Sequence, residues 1–139
     1  MGVDRVARWE VATPLLGAPY IAFLATTSPD GGPHVAPIWV ATRGERIVMT
    51  SNEGTAKLRN LRRDPRVAIS VHASSDPLVA VTVFGRVESE ATGDDATTLA
   101  DAISIAYSGQ AWDWAPGERE RCTMLTIAPE RVVPMLDQT

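Results

Sequence analysis

Thr50, Ser51, Lys57 and Asn60 place two hydroxyls, an ammonium and an amide within eleven residues. Groups of these types converging on the start of a helix bind anions. The hydroxyls and free backbone N–H groups donate, and the helix dipole and the ammonium supply positive charge. The surrounding stretch, GTAKLRNLRRDPRVAI (54–69), carries Lys57, Arg59, Arg62, Arg63 and Arg66 against one acid, Asp64. The whole chain has 13 Lys plus Arg against 17 Asp plus Glu, a net charge of −4; outside this stretch 8 basic and 16 acidic residues remain. On a helix turning about 100° per residue, Leu58 and Leu61 form a buried stripe, and Lys57 and Asn60 flank it where the helix meets its sheet. Arg59 and Arg63 point to solvent. An arginine cluster on a helix is ordinarily a solvated face, which fits Arg59, Arg62 and Arg63. Lys57 stands apart because Asn60 and the Thr50-Ser51 pair lie beside it. The Gly-x4-Gly-Lys-Ser/Thr spacing of a triphosphate-binding loop is absent, so nucleoside triphosphate hydrolysis is not implied.

The elements that must position these groups are mostly strands. YIAFLATT (20–27) is an apolar strand, SPDGGP (28–33) a turn, HVAPIWVAT (34–42) a second strand and RIVMTS (46–51) a third. Pro37 cannot donate to a ladder, so the second strand is expected at an edge. Asn52 or Thr55 caps a helix that Pro65 stops near Asp64. Strands follow at 66–73 and 78–91, with Gly85 marking a bulge. Asp94 caps a helix over 95–108 with Leu99, Ala102, Ile103 and Ala106 at helical spacing, and a last strand spans 122–136. Five or six hairpin-connected strands with two helices, lacking a βαβα rhythm, predict a mainly β fold, a small antiparallel barrel.

The 139 residues are expected to form one domain, 1–139, able to bury a core without staples. One cysteine, Cys122, precludes an internal disulfide, and two histidines with one cysteine do not supply a zinc site. No stretch approaches the roughly 18 apolar residues of a membrane helix, and the N-terminal residues lack a signal-peptide core. A cytoplasmic protein is expected, and the acidic balance argues against general nucleic-acid binding.

The motifs ATTSPDGGPHVAPIWV, IVMTSNEGTAKLRNLRRDPRVAISV and FGRVE resemble the pyridoxamine 5′-phosphate oxidase-like superfamily of split β-barrel flavin-binding proteins. The likeness is strong over residues 20–90, and K-x-x-N-L-x-x-D-P-R-V is its most specific part. It is closest to the branch that uses the deazaflavin coenzyme F420. The resemblance implies a homodimer with cofactor sites between subunits. It places the flavin ring against Ala36, Pro37, Ile38 and Trp39, and the phosphate at Thr50, Ser51 and Lys57. Asn60 stands where the oxidases carry a glutamine.

The chain departs from true pyridoxamine phosphate oxidases at three points. Ala56 replaces the arginine before the phosphate lysine, ERVVPMLDQT has no Arg-x-His substrate segment, and Ala80 lies near the position of the glutamine reaching across subunits. Vitamin B6 oxidation is therefore not expected. A lone lysine suits the singly charged phosphodiester of F420 better than the phosphate monoester of FMN, and Arg59, Arg62 and Arg63 are placed to meet an acidic tail. FMN remains the alternative cofactor.

No Ser–His–Asp set or acid pair stands out, as expected where a bound cofactor does the hydride chemistry. Trp112 and Trp114 are expected at an interface or as a lid over a pocket. His34 reads as an exposed strand-end residue and Cys122 as structural. The function expected is F420-dependent hydride transfer to a small conjugated substrate. The alternatives are an FMN-binding relative of the oxidases and a non-catalytic flavin carrier. A heme-handling reading is weaker, with only His34 and His72 to offer as ligands.

Overall fold

The computed structural model describes residues 2–137. Its elements are α1 (Gly2–Leu16), β1 (Ala22–Thr27), β2 (Pro33–Ile38), β3 (Ala41–Arg43), β4 (Arg46–Asn52), α2 (Ala56–Arg63), β5 (Arg66–Ala73), β6 (Asp76–Ala91), α3 (Asp94–Ser108) and β7 (Cys122–Pro134). Single 3₁₀ turns lie at Arg119–Arg121 and Met135–Asp137.

All seven strands join one sheet in the order β2-β1-β5-β6-β7-β4-β3, with every pairing antiparallel. The two end strands of that ladder, β2 and β3, are separated in the chain by Trp39 and Val40 alone. So short a link cannot span an open seven-stranded sheet, whose strands are about 4.8 Å apart. The sheet must coil until its two edges meet, which makes a barrel with a seam at Trp39–Val40.

This corrects the expectation of one strand over 34–42. Buried Ile38 and Val40 keep the inward alternation across the break, but the hydrogen-bonding partner changes from β1 to β4. Pro37 lies on the edge strand β2, as its missing N–H requires.

The barrel fills by strict alternation. Leu24, Ile69, Val83 and Val132 lie side by side in register across four strands, each no more than 1% exposed. Burial of such side chains stabilises the fold by about 1.5–3 kcal/mol apiece. Helix α1, which the strand pattern did not anticipate, adds Trp9, Ala12, Leu15 and Leu16 to the same core. Their spacing of three, three and one is the helical signal that marks it. Gly85 fits its bulge for a steric reason: a Cβ there would lie 2.3 Å from the Ala128 carbonyl oxygen.

Helix α3 packs outside the barrel, and Ala96, Leu99 and Ile103 meet Val48, Cys122 and Met124 in a second cluster. Gly93 (φ 87°), not Asp94, occupies its N-cap, and left-handed Gly109 ends it. Ala102 and Ala106 are exposed, so the buried stripe runs instead through Ala96, Leu99 and Ile103. No helix among the described residues is long and apolar enough to cross a membrane.

Candidate functional site

Between the barrel seam, α2, α3 and the loop before β7 lies a cavity of about 370 Å³. That is within the range of small-ligand sites. Four parts of the chain wall it. The end of β2 contributes Pro37, Ile38 and Trp39, β4 contributes Thr50, Ser51 and Asn52, the start of α2 contributes Thr55 and Lys57, and α3 contributes Ala100, Ile103 and Ser104. Trp112, Trp114 and Glu118 of the loop close it, with Cys122 at the start of β7.

The anion-binding chemistry collects at one end. Thr55 takes the N-cap position of α2 with extended backbone, but its hydroxyl caps no helical N–H; it lies 2.8 Å from Ser51 Oγ. The first N–H groups of α2 are therefore free of side-chain caps, and the helix dipole adds positive charge there. Lys57 is half-buried at the same end and forms no hydrogen bond or ion pair among the described residues. An uncompensated ammonium beside three hydroxyls and a helix start fits a phosphate group.

The other end is aromatic. Trp39 stacks on Tyr107 with ring centroids 4.9 Å apart and planes 11° apart, and Trp112 meets Trp39 edge-on at 6.5 Å. Tyr107 also secures the barrel seam. Its hydroxyl donates to the Tyr20 carbonyl at 2.7 Å and accepts the Val40 N–H at 3.1 Å. Burial pushes its pKa up, so it stays a neutral donor.

The covering loop is tied down by carboxylates. Asp101 Oδ1 accepts the Trp112 N–H at 3.1 Å and the Trp114 indole N–H at 3.0 Å. Glu118 accepts the Ala115 N–H at 2.9 Å and the Asn52 amide at 3.1 Å. These donors, Ala115 first, then Asn52 and Trp112, hold its carboxyl below the usual glutamate range. Burial, then the Glu118 charge, raises the Cys122 thiol, which is the reverse of a reactive cysteine.

Of the cofactor-site residues expected from the sequence, the cavity brings together Pro37, Ile38, Trp39, Thr50, Ser51 and Lys57; Ala36 and Asn60 are not in its wall, and Trp112 and Trp114, expected at an interface or as a lid, line it. Asn60 turns inward rather than flanking Lys57. It is 4% exposed, donates to Thr26 Oγ1 at 3.1 Å and accepts from Arg63. The helical wheel put it on a flank of the stripe, but Leu58, Asn60 and Leu61 are all buried, so the buried face of α2 is wider than its two leucines imply.

The arginines are largely engaged. Arg62 forms ion pairs with Glu53 and Glu90, Arg63 donates to the Thr27 carbonyl, Arg59 to the Gly54 carbonyl, and Arg66 pairs with Asp64. Neither histidine lines the cavity. His34 is half-buried with an unpartnered Nδ1, not fully exposed, and His72 Nδ1 contacts the Ala73 carbonyl. The sequence reading did not place Glu118 in the site, and it offered Asn52 only as a helix cap and Ile103 only as a packing residue. The only signal for Glu118 was an acid in a tryptophan-bearing loop.

The family model described as pyridoxamine 5′-phosphate oxidase matches residues 9–135. Among solved structures, an F420 reductase superposes with a TM-score of 0.78 at 27% identity, over 87% of this chain and 94% of that one. A heme binding protein from Mycobacterium smegmatis gives 0.64 at 25% identity, over 89% of this chain and 52% of that one. A conserved hypothetical protein from Mycobacterium tuberculosis gives 0.70 at 23%, over 87% and 79%, a likeness of fold. No protein of curated function matches the sequence at a significant level. With the family match spanning nearly the whole chain and the same barrel recurring in these structures, the chain belongs to the pyridoxamine 5′-phosphate oxidase family of split β-barrels.

Proposed function

We propose that this protein is an oxidoreductase that binds coenzyme F420 in the cavity and serves hydride transfer to a small conjugated acceptor. The observation that carries the reading is Lys57. An ammonium without a carboxylate partner shares one cavity with three hydroxyls and, at the far end, with Trp39 in the link that follows edge strand β2. The likeness to an F420 reductase supports the same reading.

Bound there, the deazaflavin supplies the hydride chemistry. The chain's own residues do the rest. Lys57, Thr50, Ser51 and the α2 start hold the phosphate, Pro37 to Trp39 set the plane of the ring, and Trp112 and Trp114 exclude water. Ala56 leaves one cation where a phosphate monoester calls for two, which favours a diester over FMN.

The site is proposed to be shared between two copies. On the outer sheet face Phe23 lies opposite Pro37, Val35 opposite Ala25, and Phe84 opposite Ala68, and Phe23, Val35 and Phe84 are exposed. An apolar face of this kind beside the cavity's β2 wall fits a second barrel.

Titrating the apoprotein with coenzyme F420 and with FMN tests the cofactor. Turnover with the reduced form separates an enzyme from a carrier. Tighter binding of FMN than of F420, with FMN retained through purification, would replace the F420 reading with the FMN one.

A further inference from the structure

Lys57 and Glu118 are the two charged residues in the cavity wall among the described residues. Glu118 is half-buried, and its carboxylate is held by hydrogen bonds from two sides. Its carboxylate binds the Asn52 amide, and Asn52 directly follows Ser51 at the anion-binding end. The Ala115 N–H holds it from the other side. A second carboxylate, Asp101, lies behind the tryptophans that close the cavity. Of the cations on the loop, Arg119 covers the Trp114 ring, and Arg121 donates to the Gly117 carbonyl and adds only a minor attraction to the Glu118 carboxylate, behind its hydrogen bonds. The wall as built therefore balances one positive charge with one negative charge.

We propose that Glu118 is a specificity-determining residue that sets the charge the cavity accepts, admitting a singly charged phosphodiester and disfavouring a doubly charged phosphate monoester. The inference rests on the cofactor reading above and extends it to a residue on the covering loop. A phosphate monoester carries close to two negative charges at neutral pH, and a diester carries one. Lys57 neutralises one charge. The second charge of a monoester then faces the carboxylate of Glu118 in the same cavity wall. The missing arginine at Ala56 and the carboxylate at Glu118 act in the same direction, one withholding a cation and the other adding an anion.

Two ligands that share ring and ribityl chain make the test, FMN and its phosphate methyl ester, which differ at the phosphate by one charge and one methyl group. Dissociation constants are measured by fluorescence titration for wild type, Glu118→Gln and Glu120→Gln, with coenzyme F420 as a third ligand. The glutamine keeps the shape of the loop anchor and an acceptor for Ala115 N–H. Wild type is expected to bind the methyl ester more tightly than FMN. Glu118→Gln is expected to tighten FMN about tenfold and the methyl ester about threefold, because the electrostatic gain scales with ligand charge. Glu120, exposed and outside the cavity wall, is expected to change neither when replaced. Equal gains for both ligands in Glu118→Gln, or none, would overturn the proposal and leave the cofactor reading standing. Binding of none of the three ligands by wild type would overturn the cofactor reading itself.

Discussion

Tyr107 stacks face to face on Trp39, 4.9 Å between ring centroids, while its hydroxyl bridges the Tyr20 carbonyl and the Val40 N–H. One side chain of α3 thus closes the barrel seam and orients the tryptophan at the aromatic end of the cavity. The bridge is a structural bond with a functional consequence, because Trp39 and Val40 are the link between the two edge strands.

Tyr107→Phe keeps the stack and loses the bridge, leaving the Val40 N–H short of an acceptor. It is expected to lower stability by about 1–2 kcal/mol, read as a shift in the urea midpoint with an unchanged slope. Tyr107→Ala removes the stack as well and is expected to weaken cofactor binding further, seen in the same titration.

Lys57→Ala is expected to weaken coenzyme F420 binding by about 1–3 kcal/mol, the range for a charge-assisted bond to phosphate. Its melting temperature should be unchanged, since Lys57 holds no partner among the described residues. Arg66→Ala, in an exposed pair with Asp64, is the matched control and should leave affinity as it was. Equal losses at both positions would remove Lys57 from the site.

Asn60→Ala separates structure from binding. Its amide is buried between Thr26 and Arg63, and truncation leaves the Thr26 hydroxyl without this donor. A loss of about 1–3 kcal/mol in stability is expected, with cofactor affinity changed far less than in Lys57→Ala. Paired calorimetric and binding measurements on the two variants check the contrast.

Acid sensitivity follows from the carboxylates. The Arg62 hydrogen bonds hold Glu53 below its ordinary value of 4.5, and the Arg66 side chain holds Asp64 at about 2, below 3.8. A depressed folded pKa means that the ionised form favours folding. The contribution is complete above the ordinary values and disappears as pH falls through the folded ones. Melting temperature should be level above about pH 5 and fall towards pH 2. Arg62→Met should make the fall shallower. An unchanged slope in that variant would show that the Arg62 pairs do not contribute.

Phe23→Lys on the outer sheet face is expected to convert a dimer of twice 14.9 kDa to a monomer in sedimentation and to lower cofactor affinity with it. A wild-type monomer that binds cofactor tightly would discard the shared site.

Much of this protein is local in origin. Strands over 66–73 and 122–134, the helix ending at Asp64 before Pro65, and the bulge at Gly85 follow from alternation, capping, ring closure and steric size, which act between near neighbours. So does the hydroxyl-and-lysine end of the cavity, because Thr50, Ser51 and Lys57 lie on one strand–turn–helix unit. What the tertiary structure alone decided is who meets whom. Alternation through Ile38 and Val40 carries no information about the change of partner at Trp39, so the seam was invisible. The inward turn of Asn60 depended on how α2 seats against β1. Glu118 reached the cavity only because β7 pairs with β4, bringing Cys122 opposite Asn52 and the preceding loop over Ser51. The Asn60–Thr26 and Asn52–Glu118 contacts join residues 34 and 66 apart in the chain, and long-range pairing is set by the closing of the whole barrel, which no short window of residues can express.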